Sequence, residues 1–113
     1  MSDCLFCKII NGEIPSKKVY EDELVYAFED INPQAPVHIL IIPKEHISNV
    51  LGINSENSKV VSHIFEVIPA IAKEKQLEKG FRVVSNCNEY AGQTVFHLHF
   101  HIIGGKQLSL EMA

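Results

Sequence analysis

The sequence predicts an α+β fold: a five-stranded, mostly antiparallel sheet with one long helix packed on it and a short helix at the N-terminus. Val37 to Ile42 has the apolar, β-branched content of a strand buried on both faces. Val60, Val61, Ile64, Phe65, Ile68, Ile71 and Ala72 return every three or four residues, the stripe of a long amphipathic helix. Four further short strand candidates, each bounded by turn residues, complete the sheet.

At 113 residues the chain is long enough for one hydrophobic core and too short for two, so residues 1–113 are expected to form a single domain. Apolar residues at 46% and charged residues at 21% place it among ordinary globular chains. A net charge of -4 argues against binding a nucleic-acid backbone, which calls for a basic face. A membrane span is excluded too, because the longest apolar run carries His38 and is closed by Pro43. Asp3 and Cys4 stand where a secretory signal would be basic, and three cysteines suit a reducing compartment, so a cytoplasmic protein is expected.

Leu5, Phe6, Ile9 and Ile10 fall at helical spacing before Asn11-Gly12, a natural stop, and both Cys4 and Cys7 are expected to ride on this helix. Lys18 to Tyr20 and Leu24 to Phe28 read as a hairpin across the acidic turn Glu21-Asp22-Glu23. Asn32-Pro33-Gln34-Ala35-Pro36 is a turn-rich connection into the central strand. Ser55 is the expected cap of the long helix, Pro69 an expected kink and Gly80 its end. Phe81 to Asn86 and Phe96 to Ile103 are the last two strands, separated by the loop Cys87 to Thr94. His63 falls on the outer face of the helix and is assigned no role.

Three of the six histidines are His97, His99 and His101, with apolar residues between them. On a strand they would share one face about 7 Å apart, a reactive row or a metal site. An alternating polar strand face is the simpler explanation, but three inward imidazoles would each need a partner.

His97-Leu98-His99-Phe100-His101-Ile102-Ile103 resembles the signature of the histidine-triad family. The likeness extends to Phe28 through His38, Ile42-Pro43-Lys44-Glu45-His46, Gly92-Gln93-Thr94-Val95 and Gly104-Gly105, which look like the nucleotide-binding, Hint-like branch. The resemblance implies hydrolysis of nucleoside phosphoramidates or related adenylyl substrates through a nucleotidyl-histidine intermediate. His99 would be the nucleophile, since neutral imidazole is nucleophilic near pH 7, with His101, His38 and His97 as the other catalytic histidines. A lone His38 on an apolar strand would otherwise read as a satisfied core residue.

The same resemblance makes Asp30 the acceptor of both ribose hydroxyls; its alternative is a cap for the turn at Asn32-Pro33. Leu5, Phe6, Ile9, Phe28 and Ile31 would wall the pocket of a purine base, and Glu29 leaves the base preference open. Asn86 would contact the sugar-phosphate unless it is only a polar strand end. Gln93 and Thr94 would lie at the phosphate, where the family more often has serine in place of Thr94. A subset of the family implies a structural Zn2+ held by Cys4, Cys7, His46 and His97; a redox pair or inert buried cysteines are the alternatives. It also implies a homodimer, although the tail Leu108 to Ala113 lacks the aromatic residue with which relatives reach the partner's site. Rival functions are dinucleoside polyphosphate hydrolysis, hydrolysis at a catalytic zinc, nucleotide binding without turnover, and nucleic-acid handling.

Overall fold

The computed structural model describes residues 3–112, so Ala113, the last residue of the tail singled out above, lies outside them. The order is α1 (Leu5–Ile10), β1 (Lys18–Glu21), β2 (Val25–Glu29), β3 (Val37–Pro43), α2 (Ser58–Glu74), β4 (Phe81–Val84) and β5 (Phe100–Gly104). The five strands form one sheet in the order β1-β2-β3-β5-β4, antiparallel at every step. Among the described residues no helix is long and apolar enough to cross a membrane.

Strand alternation splits the core into two layers. Val25 and Ala27 of β2, Ile39 and Ile41 of β3, and Phe100 and Ile102 of β5 face α2, which buries Val60, Ile64, Val67, Ile68, Ile71 and Ala72 against them. Tyr26, Phe28, Leu40 and Ile42 face the other way and are covered by Phe6 and Ile9 of α1. β3 is therefore buried on both faces, as its composition predicts. His38 and His101 share the α1 side, beyond the reach of that short helix.

Several boundaries differ from the sequence expectations. Cys4 does not ride on α1: it is the N-cap, and its Sγ accepts from the Cys7 amide at 3.4 Å. Ser55 does not cap α2, whose N-cap is Asn57. Asn54 Oδ1 accepts from the amides of Glu56 and Asn57, while Asn57 Oδ1 accepts from the Asn54 amide. α2 runs unbroken through Pro69, which lies on its exposed side where the freed carbonyl can meet water. The helix ends before Gly80: Gln76 takes φ 59, and the Leu77 amide reaches back to Ala72 O at 2.8 Å, a Schellman stop with buried Leu77 as its apolar plug.

β4 ends at Val84 rather than Asn86, and β5 begins at Phe100 rather than Phe96. Phe96 to His99 are irregular because their backbone groups are engaged elsewhere. The Leu98 amide donates to Ile47 O at 2.6 Å, and His97 O accepts from the His99 ring at 2.7 Å.

The acidic turn between β1 and β2 is built around Asp22. Its Oδ1 accepts from the amides of Leu24 and Val25, and its Oδ2 from Tyr20 Oη at 2.7 Å and His63 Nε2 at 2.6 Å. His63, assigned no role from sequence, thus latches α2 to the hairpin, with Glu66 Oε1 3.6 Å from its other nitrogen. Burial works to raise the Asp22 pKa, but the hydrogen bonds from His63, Tyr20 and the two amides prevail and hold it well below the carboxylate range. The bond to Asp22 raises His63 above 6.5 against the opposing effect of burial. The His63 contribution is complete below 6.5 and is lost as pH rises through its raised value; that of Asp22 is present above 3.8 and fades as pH falls. His63→Ala should therefore cost more melting temperature near pH 6 than near pH 9. An equal deficit at both would refute the latch.

Candidate functional site

The histidines are oriented by backbone groups, and the bonds fix their tautomers. His99 lies just ahead of β5; its Nδ1 donates to His97 O, so its Nε2 carries the lone pair. Phe6 meets the His99 ring edge-on at 5.1 Å between centroids. His38 Nδ1 accepts from the Gln34 amide at 3.0 Å, which places the His38 proton on Nε2. That nitrogen donates to His101 Nδ1 at 2.8 Å, so the His101 proton sits on Nε2. His101 Nε2 is buried with no partner, and the His101 ring lies 5.1 Å from that of His99. The spacing is shorter than the expected row of about 7 Å because only His101 belongs to the β5 ladder.

These three histidines and His97 are all held toward the neutral form. Burial is the main cause at each: it pushes His97 and His101 down to about 4 and lowers His99 and His38. For His101 the neighbouring His99 and His38 add to it; for His38 the Asp30 carboxylate opposes it.

Asp30 follows β2. Its Oδ2 lies 3.4 Å from His38 Nε2, while its Oδ1 accepts from the Asn32 amide at 2.8 Å. The turn cap weighed above is therefore present, and the second oxygen faces the histidine pair. Phe6, Ile9 and Phe28 belong to one buried cluster, with Phe6 and Phe28 edge-to-face at 5.5 Å. Leu5 at 42% and Ile31 at 90% exposure stand outside it. Glu29 points to the opposite, α2 side, 3.8 Å from Lys75. Asn86 is half-buried just beyond β4, and Thr94 is exposed. Gln93 is buried: its Nε2 donates to Ser48 O at 2.8 Å and Val95 O at 3.0 Å, so its side chain braces the loop from inside.

The HIT domain matches residues 11–108, most of the chain. The chain belongs to the HIT family. It is 43% identical over 112 residues to the purine nucleoside phosphoramidase of Escherichia coli K12, covering 98% of this chain and 94% of that one. A HIT family hydrolase from Clostridium thermocellum superposes with a TM-score of 0.98 at 49% identity, covering 100% and 99% of the two chains. A histidine triad nucleotide-binding protein from Candida albicans gives 0.88 at 37% identity, covering 98% and 83%.

This HIT chain holds a second constellation. Cys4, Cys7, His46 and His97 could hold a metal ion, their ligand atoms all lying within 4.8 Å of one another. Cys4 Sγ and Cys7 Sγ lie 3.4 and 3.6 Å from His97 Nδ1, and Cys7 Sγ lies 3.4 Å from His46 Nδ1. A tetrahedral zinc with ordinary bond lengths separates sulfur from nitrogen by about 3.6 Å, so the donor set fits. His97 Nε2 donates to Pro43 O at 2.8 Å, leaving the Nδ1 lone pair aimed at the two sulfurs.

Four partners escaped sequence reasoning: the Gln34 amide, Pro43 O, and the side chains of Ser85, whose Oγ donates to His99 O at 2.9 Å, and Asn49. Main-chain groups carry no residue-type signal. Ser85 and Asn49 are ordinary polar residues that matter here only through long-range placement.

Proposed function

We propose that this HIT protein hydrolyses purine nucleoside phosphoramidates, or related adenylyl substrates, through a nucleotide covalently held on His99. The observation that carries the reading is the fixed tautomer of His99, with its proton committed to His97 O and its Nε2 lone pair free, beside the unpartnered Nε2–H of His101. The likeness to the E. coli phosphoramidase favours a phosphorus–nitrogen bond as the one cleaved.

In the first step the His99 Nε2 lone pair forms a bond to the α-phosphorus as the P–N bond breaks. The bound anionic phosphate favours protonation of the His38–His101 pair, which gives that proton to the departing amine. The positive charge on the phosphoimidazole is met by His97 O at Nδ1. Water then attacks phosphorus, returns the bond pair to Nε2 and restores a proton to the histidine pair, so one water is consumed and a nucleoside monophosphate released. Mass spectrometry of the protein mixed with an adenylated amine and denatured at neutral to alkaline pH, where an N-phosphorylated imidazole persists, should show adenylyl-His99. Turnover with no labelled histidine at any quench time would count against the route.

Asp30, Asn86, Thr94 and the Phe6–Phe28 cluster are read as the nucleotide site. With Asp30 Oδ1 partly engaged by Asn32, the ribose contact falls mainly on Oδ2. One lost hydrogen bond to a charged acceptor, at a site where water can substitute, should reduce kcat/KM for 2′-deoxy substrates about tenfold to a hundredfold. Asp30→Ala should erase most of that discrimination. Equal efficiencies for both sugars in the wild type would leave Asp30 as a turn cap only.

The metal read into the cysteine-histidine cluster is zinc. When bound it supplies a closed structural centre with no open position for water. A cytoplasmic homodimer completes the reading, supported by half-exposed Phe65 on α2 and by the unpaired edge of β4. Light scattering at micromolar concentration should return twice the chain mass, and a monomer would refute the dimer.

A further inference from the structure

The loop between Asn86 and Thr94 contains one residue in a conformation that ordinary side chains avoid. Asn88 has φ 68 and ψ -178, a region adopted by glycine and by few other residues. Such a residue persists only where its surroundings hold it. Here the Asn88 amide donates to Gln93 Oε1 at 2.8 Å, and Asn88 O accepts from the amides of Ala91 and Gln93, both at 3.1 Å. Asn88 Oδ1 accepts from Asn49 Nδ2 at 2.8 Å.

Asn49 is 7% exposed and belongs to no strand or long helix. Its Oδ1 caps the short turn Val50–Gly52 by accepting from the Leu51 amide at 3.0 Å, and its Nδ2 also lies 3.4 Å from Gln93 Oε1. Gln93 in turn donates to Ser48 O. The stretch Ile47-Ser48-Asn49 thus grips the loop at Asn88 and Gln93, and through Ile47 O it also grips Leu98, next to His99. One short segment sets both the loop and the approach to the nucleophile.

We propose that Asn49 is a positioning residue: by holding Asn88 in its left-handed conformation it fixes the Asn86–Thr94 loop against His99 for phosphoryl transfer. The proposal rests on the function proposed above. A loop displaced by a fraction of an ångström still binds substrate but misaligns the phosphate, so the effect belongs in kcat. Asn49→Asp keeps the acceptor that caps the turn and removes the donor to Asn88.

Asn49→Asp and Asn49→Ala should each lower kcat about tenfold to a hundredfold with KM changed less than about threefold. Asn88→Gly, which adopts φ 68 without being held, should restore kcat in the Asn49→Ala background to within about threefold of wild type. A general loss of structure would not be repaired by a glycine in a loop. Amide hydrogen exchange supplies a readout without substrate: the Ala91 and Gln93 amides should lose protection about tenfold or more in Asn49→Ala. Unchanged exchange overturns the proposal whatever the turnover. Faster exchange with unchanged kcat, or a loss that Asn88→Gly does not repair, overturns the positioning role. Should wild-type chain show no phosphoramidase turnover while exchange responds as described, the functional reading fails and the positioning role for that reaction falls with it, while the grip of Asn49 on the loop stands.

Discussion

His99→Ala should lower turnover on an adenylated amine by on the order of 10^4-fold or more, while the folded chain still binds nucleoside monophosphate. The loss should be large because, on the proposed route, the substitution removes the bond-forming atom. Folding should survive: the ring is 7% exposed and packs against Phe6, but it lies ahead of β5 rather than in the ladder. The expected stability cost combines a small cavity with an unpaired His97 O, about 2–4 kcal/mol. Steady-state kinetics and mass spectrometry after a denaturing quench at neutral to alkaline pH check the result together, since the variant should also show no adenylyl-histidine. Turnover near wild type would transfer the nucleophile to another residue. His101→Ala should be less damaging, because it removes a proton donor and leaves the nucleophile in place.

How far the chain could be read before its structure varies with the range of the interactions involved. The buried β3 follows from its apolar, β-branched content and stands where that places it; the α2 stripe follows from periodicity, but the helix is rotated so that Val67 is buried and Phe65 is half-exposed. The limits of β5 did not, since Phe96 to His99 alternate as a strand does and only long-range bonds, Leu98 to Ile47 and the His99 ring to His97 O, take them out of the ladder. The helix start failed for a local reason. Ser55 is a good cap by residue type, but Asn54 and Asn57 cap each other and the turn before the helix.

At the site, the histidine pattern and the Cys4–Cys7 spacing were legible as residue types, whereas the tautomers of His38, His97 and His101 were not. The proton on His38 is settled by the Gln34 amide, and the one on His97 by Pro43 O, both main-chain groups brought near by the fold. Sheet register supplied the rest: Leu40 pairs with His101 and His38 with Ile103, which sets His38 and His101 diagonally on one face at hydrogen-bonding distance.

The second large effect concerns the Cys4, Cys7, His46 and His97 cluster, proposed above to hold zinc. Stripping zinc, or Cys4→Ser, should lower the melting temperature by roughly 15 °C or more, because the binding free energy of a structural zinc is folding free energy. The cluster ties the cap of α1 to His46 after β3 and His97 before β5, two segments already joined by the Leu98–Ile47 and His97–Pro43 bonds, so α1 is the part it anchors. Without it α1 has only Phe6, Ile9 and their neighbours to hold it over the sheet, and a six-residue helix is too short to persist alone. The disturbance should also reach the nucleophile, since His97 contributes the carbonyl that fixes the His99 tautomer. Activity should therefore decline in step with loosening of the fold. Metal content by mass spectrometry, circular dichroism and turnover followed together after chelator addition provide the measurement. A structural centre predicts parallel decay of fold and activity. Immediate loss of activity with an intact fold would favour a catalytic zinc, and an unchanged melting temperature in metal-free protein would leave Cys4 and Cys7 as half-buried thiols without a metal to hold.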